Sequence, residues 1–299
     1  MKQISVVVAV VSAALAGGAL FAFAGPPGPG APLSMPASTA GTQVFEGFCE
    51  ASAILPWKGG FLVGDNETDG SLYGLTGTLG ATEGLQLSGE VEDIEALAIG
   101  PAGELIVVGS QGANKKGKAQ PERERILVQG HPAIRPDLSG CPSCIAARGL
   151  PPKEGGLSVE GAAWWGDALW LGVRSPLVGG EAMLLRLEGA PTVSLSVADT
   201  DLLDLGGYGV RDLMVTPEGL YVLAGPTDGR NAAHRLYRVS HPGSPPELVP
   251  IELPAGSEGL VRVGSELIVV IDGDGKPGVP CKEPARWARV PMAGAQNSL

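Results

Sequence analysis

Five acidic residues, Glu50, Glu95, Glu160, Asp212 and Glu258, each open a short apolar run, at intervals of 45, 65, 52 and 46 residues. Each run turns and returns to a second polar position. Hairpin geometry therefore pairs Glu50 with Asp65, Glu95 with Ser110, Glu160 with Arg174, Asp212 with Pro226 and Glu258 with Asp272. Carboxylates gathered at one edge cannot all ionise in a dry site without compensation. Three remedies are open: a divalent cation such as calcium, ion pairs with Arg174 or Arg211, and hydrogen bonds to backbone amides of a neighbouring unit.

The cation remedy has a sequence trace. Asp65-x-Glu67-x-Asp69-Gly70 spaces three carboxylates as a calcium loop does, and Asp272-Gly273-Asp274-Gly275 is a shorter acidic loop. Neither is an EF-hand, because Thr76 stands where the twelfth-position glutamate belongs. Acidic β-turns explain the same residues without a metal. Glu50, Asp65, Glu258 and Asp272 are the candidate metal ligands. Basic residues run toward the same edge: Gln111–Lys118 (QGANKKGK), Arg123, Arg174 and Arg211. The candidate ligand-binding set is accordingly Glu95, Ser110, Asn114, Lys116, Arg123, Glu160, Arg174, Arg211 and Asp212. Carboxylates beside guanidiniums also suit a metal-assisted phosphoester hydrolase, with arginine gripping the phosphate. No G-x-S-x-G, P-loop or H-E-x-x-H is present, and His131, His234 and His241 read as lying outside the repeated edge. A catalytic residue is therefore not named, and whether the protein is an enzyme stays open.

The elements that must carry these residues repeat. CEASAILPWKGGFLVGD (Cys49–Asp65), VEDIEALAIGPAGELIVVGSQ (Val91–Gln111), VEGAAWWGDALWLGVRS (Val159–Ser175), VRDLMVTPEGLYVLAGP (Val210–Pro226) and SEGLVRVGSELIVVIDG (Ser257–Gly273) are one hairpin written five times. Units of this length with further strand candidates after each hairpin imply an all-β fold, a β-propeller of five blades. The further strands expected are Leu72–Leu75 and Gly84–Glu90, Ile126–Gln129, Met183–Leu187 and Thr192–Val197, Arg235–Val239 and Glu247–Leu253, then Trp287–Val290. Six blades result if the insertion Gly130–Gly155 hides a degenerate one. Runs such as Leu105–Val108 and Leu267–Ile271 are apolar throughout, as in strands buried on both faces. Gln43–Gly47 is a strand candidate placed to complete the last blade and remove its free edge.

Around this core the chain divides into a signal peptide (1–24), a Pro/Gly/Ser/Ala-rich linker (25–42), the propeller (43–292) and a polar tail (293–299). Lys2, the apolar stretch Ile4–Phe23 and the small-x-small Ala22-Phe23-Ala24 predict cleavage before Gly25, hence an exported protein, periplasmic or extracellular, with no membrane insertion after cleavage. A net charge of −11 argues against nucleic acid as a partner and leaves a small-molecule or extracellular ligand, bound by a monomer. Four cysteines in an exported chain imply two disulfides with three possible connectivities. Cys141 and Cys144, a C-x-x-C, read as a local staple. Cys49 opens the first repeat and Cys281 lies in the last, so a ring would bring them together.

The N-K-K-G-K loop, the G-x-R-S-P-L turn and the G-x-R-D strand entry, with SEGLVRVGSELIVVIDGDG, resemble a bacterial domain-of-unknown-function family, number thirty-six sixteen, over Cys49–Arg289. That family is similar to exported propellers of the esterase-like phytase kind. The resemblance implies a propeller and no established activity. Three functions are thus carried forward: a ligand-binding module, a phosphoester hydrolase, and a structural or protein-interaction ring.

Overall fold

The computed structural model describes residues 41–45, 48–65, 68, 70–228, 232–275 and 280–292. The expected signal peptide, most of the linker and the polar tail lie outside these residues, as do Glu67 and Asp69 of the acidic loop.

Among the described residues nineteen strands form five sheets. β1 is Gln43–Val44. Blade 1 holds β2 (Ala51–Trp57), β3 (Gly60–Asp65), β4 (Ser71–Thr76) and β5 (Ala81–Gln86); blade 2 holds β6 (Ile94–Ile99), β7 (Leu105–Gly109) and β8 (Ile126–Val128). Blade 3 holds β9 (Ser158–Trp165), β10 (Ala168–Val178), β11 (Glu181–Ala190) and β12 (Ser194–Leu203). Blade 4 holds β13 (Gly209–Thr216), β14 (Gly219–Gly225), β15 (Arg235–Val239) and β16 (Glu247–Val249). Blade 5 holds β17 (Ser257–Val263), β18 (Glu266–Ile271) and β19 (Arg286–Pro291), and β1 pairs with β19 as its outer strand. Within the five sheets the strands pair antiparallel, and the inner strands β2, β6, β9, β13 and β17 pack in sequence, with β17 against β2 closing the ring.

The propeller has five blades, and the insertion is not a sixth. Residues 130–155 contain a short helix, α1 (Pro142–Ala147), and bridge blade 2 to blade 3: Ile134 pairs with Ile126, and Asp137 with Ser196. Several outer strands differ from expectation. Blade 1's fourth strand is Ala81–Gln86, earlier than Gly84–Glu90, because Thr76–Gly80 turns the chain as soon as β4 ends. β12 runs on to Leu203 and β16 stops at Val249.

The apolar runs are explained by what covers each face. Five hydrophobic clusters occupy the five interfaces between blades. Within β7, Leu105 and Val107 face blade 1 while Ile106 and Val108 face blade 3, the period of two that a strand imposes. Aromatic residues gather at the closing seam, where Phe45 stacks on Phe48 at 4.6 Å and Phe48 on Tyr73 at 4.5 Å. The Cys49–Cys281 disulfide clamps the same seam. Cys141 and Cys144 are bonded to each other, both buried at the start of α1.

Candidate functional site

Each inner strand carries one β-bulge, and in all five blades it falls at the same register position. The residue skipped by the ladder is Ser52, Glu95, Glu160, Arg211 or Glu258. A bulge re-aims its side chain out of the pleat, and here the five converge on one mouth of the ring. Glu50 and Asp212 therefore are not ring members. The blade-1 position is Ser52, whose Oγ donates to the Ile94 carbonyl at 2.5 Å, and the blade-4 position is Arg211. Aligning by charge displaced both assignments; aligning by the apolar residues that follow recovers them.

Arg211 knits the mouth together. Its Nη1 donates to Glu160 Oε2 at 3.0 Å and to both Glu258 oxygens at 2.7 Å, and its Nη2 donates to the Pro226 carbonyl at 2.9 Å. In blade 3 a second bulge, between Val173 and Ser175, turns Arg174 toward Glu160, and Arg174 Nη1 donates to Oε1 at 2.7 Å. Ser158 Oγ adds a third bond at 3.0 Å. Burial pushes Glu160 up, but Arg211 and Arg174 outweigh it and hold this carboxyl below its ordinary value.

The remaining acids are less well supplied. Burial raises Glu258 to about 7, Glu160 adding to the rise and Arg211 opposing it. Burial also raises Glu95 well above the carboxylate range, with Glu160, Asp93 and Glu258 as like-charged neighbours. Asp272 is pushed up to about 8 by burial, Glu258 and Glu50, and its Oδ1 lacks a hydrogen-bond partner. Asp212 is turned away from the mouth: Oδ1 accepts from the Leu213 amide and Oδ2 from the Leu260 amide of blade 5, both at 2.8 Å, so it latches two blades. Asp65 accepts from the Cys49 and Glu50 amides, and Glu50 from the Gly275 amide.

The basic loop does not reach this network. Asn114 Oδ1 accepts from the Lys116 and Lys118 amides of its own turn, and Lys116 is exposed. Arg123 pairs with Asp93 at 2.9 Å. Buried Ser110 gives its carbonyl to the Val159 amide of blade 3 at 2.8 Å. Among the described residues no group of three or more His, Cys, Asp or Glu is arranged to hold a metal ion.

His234 was placed outside the edge on sequence grounds and belongs to it. It precedes β15, whose start lies beside the end of β14 at this mouth. The ring packs against Gly225 next to Arg211, so closely that a Cβ on Gly225 would lie 2.6 Å from it. It is 5% exposed, and among the described residues neither ring nitrogen makes a well-formed hydrogen bond. Burial and Arg211 lower its pKa to about 4, so the imidazole is neutral. The signal available in sequence was strand counting: a third strand begins at the edge where the second one ends.

A closed five-bladed propeller with a charged ring at one channel mouth is the class that fold and site define. Residues 143–247, spanning blade 3 and most of blade 4, match the model of a family described as a protein of unknown function (DUF3616). It is the family that the motifs resemble, matched over a shorter stretch than Cys49–Arg289; the N-K-K-G-K loop lies outside it. No curated protein matches the chain. Among solved structures it is similar to a putative 6-phosphogluconolactonase from Bacteroides uniformis (12% identity, 81% of this chain and 86% of that one, TM-score 0.41). Others are PorZ of the Porphyromonas gingivalis type-IX secretion system (12% identity, 80% of this chain and 33% of that one, TM-score 0.35) and the periplasmic gluconolactonase of Pseudomonas aeruginosa (13% identity, 75% and 65%, TM-score 0.33). Likenesses this distant assign no activity.

Proposed function

We propose that the protein is an exported, monomeric binding module whose charged mouth receives a small extracellular ligand through a positively charged group. The observation that carries this reading is the imbalance at the mouth. Among the described residues Glu95, Glu160, Glu258 and Asp272 share it with Arg174 and Arg211, and the two arginines are already spent on Glu160 and Glu258. Burial and neighbouring carboxylates keep Glu95, Glu258 and Asp272 raised even though Arg174 and Arg211 pull the other way. An ammonium group or a divalent cation supplies the missing charge and displaces protons as it binds. The hydrolase reading loses support from the same contacts, since Arg211 has both terminal nitrogens engaged and presents no open fork to a phosphate. Export is supported by the apolar leader and by two disulfides, which persist in oxidising compartments. Among the described residues no helix is long and apolar enough to cross a membrane.

The test is calorimetric titration of the chelator-treated protein with calcium, magnesium, manganese and zinc, and separately with putrescine as an organic dication, in buffers of different ionisation enthalpy. Saturable binding with proton release, weakened in Glu95→Gln and Glu258→Gln, supports the reading, and the arm that binds separates metal from amine. Absence of binding in every arm would reduce the ring to a structural latch.

A further inference from the structure

The opposite half of the channel is chemically unlike the charged mouth. Counting from the bulged position, the next residue on each inner strand is Ala53, Ala96, Gly161, Asp212 or Gly259, and the second to fourth residues line a cavity of about 250 Å³. All five blades contribute in the same register: Ile54–Pro56, Leu97–Ile99, Ala162–Trp164, Leu213–Val215 and Leu260–Arg262. One intervening residue, hence a strand rise of about 7 Å over two steps, separates this cavity from the charged ring. The Arg211 network lies beyond one end of the cavity, and the turns that end the inner strands lie at the other.

Its walls are apolar, and several are half-exposed there, among them Leu55, Ile99, Trp164 and Met214. Arg262 is the one charged lining residue, and it is neutralised. Its Nη1 lies 3.1 Å from both Glu218 oxygens, and its Nε donates to the Gly264 carbonyl at 3.1 Å. The inner strands are also the free edges of their sheets, so backbone groups facing the channel have no ladder partner; Asp212 takes the Leu213 and Leu260 amides, and the others need water or a ligand. An enclosed aliphatic cavity of roughly 150 Å³ takes one benzene, so the present volume suits two fused rings.

We propose that this far half of the channel is a second binding site, for one flat, uncharged heteroaromatic molecule of about two fused rings. Ring faces meet Trp164, Ile99 and Met214, while a single N–H or ring nitrogen pairs with a strand edge. With its one charged lining residue, Arg262, paired to Glu218, the lining disfavours ionised ligands.

Indole is the probe. Thermal-shift and calorimetric titrations of the mature protein are expected to show saturable binding, with indole-3-acetate weaker by about tenfold for the charge it would bury. Ile99→Asp is expected to weaken indole by a similar factor. Should that variant not fold, methyl NMR of the unmodified protein locates the probe: the Ile99 and Met214 methyls should move, with the same dissociation constant. No saturable binding, equal binding of indole-3-acetate, or shifts confined to other methyls would overturn the proposal. The cation titration reads the opposite mouth, so each site stands or fails separately.

Discussion

Arg211 Nη1 donates at 2.7 Å to both carboxylate oxygens of Glu258, the residue at the same bulged position one blade further on. Four of the five ring positions are Ser52, Glu95, Glu160 and Glu258. The fifth is the only basic member, and it holds two acids that would otherwise repel. Removing the guanidinium while leaving the acids strands buried charge, a loss of about 3–5 kcal/mol. Arg211→Met should lose stability on that scale in urea unfolding. Adding Glu160→Gln and Glu258→Gln to it should recover part of the loss, and an additive outcome would show that the three side chains do not act as a unit.

The acids of the mouth set a dependence on pH with a definite sign. Glu258 and Asp272 rise from 4.5 and 3.8 to about 7 and about 8 on folding. The folded state holds their protons more tightly, so their contribution is complete below the ordinary carboxylate range and is lost as pH rises through those raised values. Glu160, held low by its arginines, has the opposite sign and loses its contribution on acidification. The melting temperature should fall between about pH 5 and pH 8, and Asp272→Asn should flatten that fall. A steeper fall in the variant would remove Asp272 as its source.

Cys49 and Cys281 lie 232 residues apart in sequence, whereas Cys141 and Cys144 lie three apart. In the chain-entropy account the long loop gains most from cross-linking, about 2–5 kcal/mol, and the short one less. Replacing Cys49 and Cys281 together by alanine should therefore lower stability more than replacing Cys141 and Cys144. Chemical unfolding of the two double variants ranks them, and the reverse order would contradict the ring-closing role.

Gly172 stands where blades 3 and 4 meet closely. A Cβ there would lie 2.3 Å from Val210 Cγ1 and 3.3 Å from Leu213 Cγ. Gly172→Ala should cost about 1–3 kcal/mol by overpacking. Val210→Ala in the same chain should return part of it, a coupling that a double-mutant cycle reads directly.

Much of the architecture was legible because the physics that builds it is local and repeated. A blade buried on both faces writes itself as an unbroken apolar run, and five such runs with turn residues between them leave few alternatives to a ring. The mouth was half legible. Glu95, Glu160, Glu258, Arg174 and Arg211 were found by type and spacing. Glu50 and Asp212 were taken for ring members because the acid lies two residues before Ser52 in blade 1 and one after Arg211 in blade 4, and charge alone cannot show which residue a bulge turns out. In ASAIL, IEALA, VEGAA, VRDLM and SEGLV the second letter is the bulged residue, a pattern visible once the apolar frame leads. His234 was missed because its segment looks like a loop until the third strand is counted from the correct edge. The latching role of Asp212 depends on the Leu260 amide, 48 residues away, which nothing nearby in the chain announces.

The pairing of Gln43–Val44 with Arg286 and Trp287 has a consequence for the order of events during synthesis. The strand translated first can be seated only after nearly the whole chain has left the ribosome. Until then Phe45 and Phe48 lack the Trp287 side of their packing, and Cys49 lacks its partner Cys281. Blades 1 to 4 are able to assemble as they emerge, each on its predecessor. The ring as a whole becomes a closed object in one late step, in which the two ends of the polypeptide find each other.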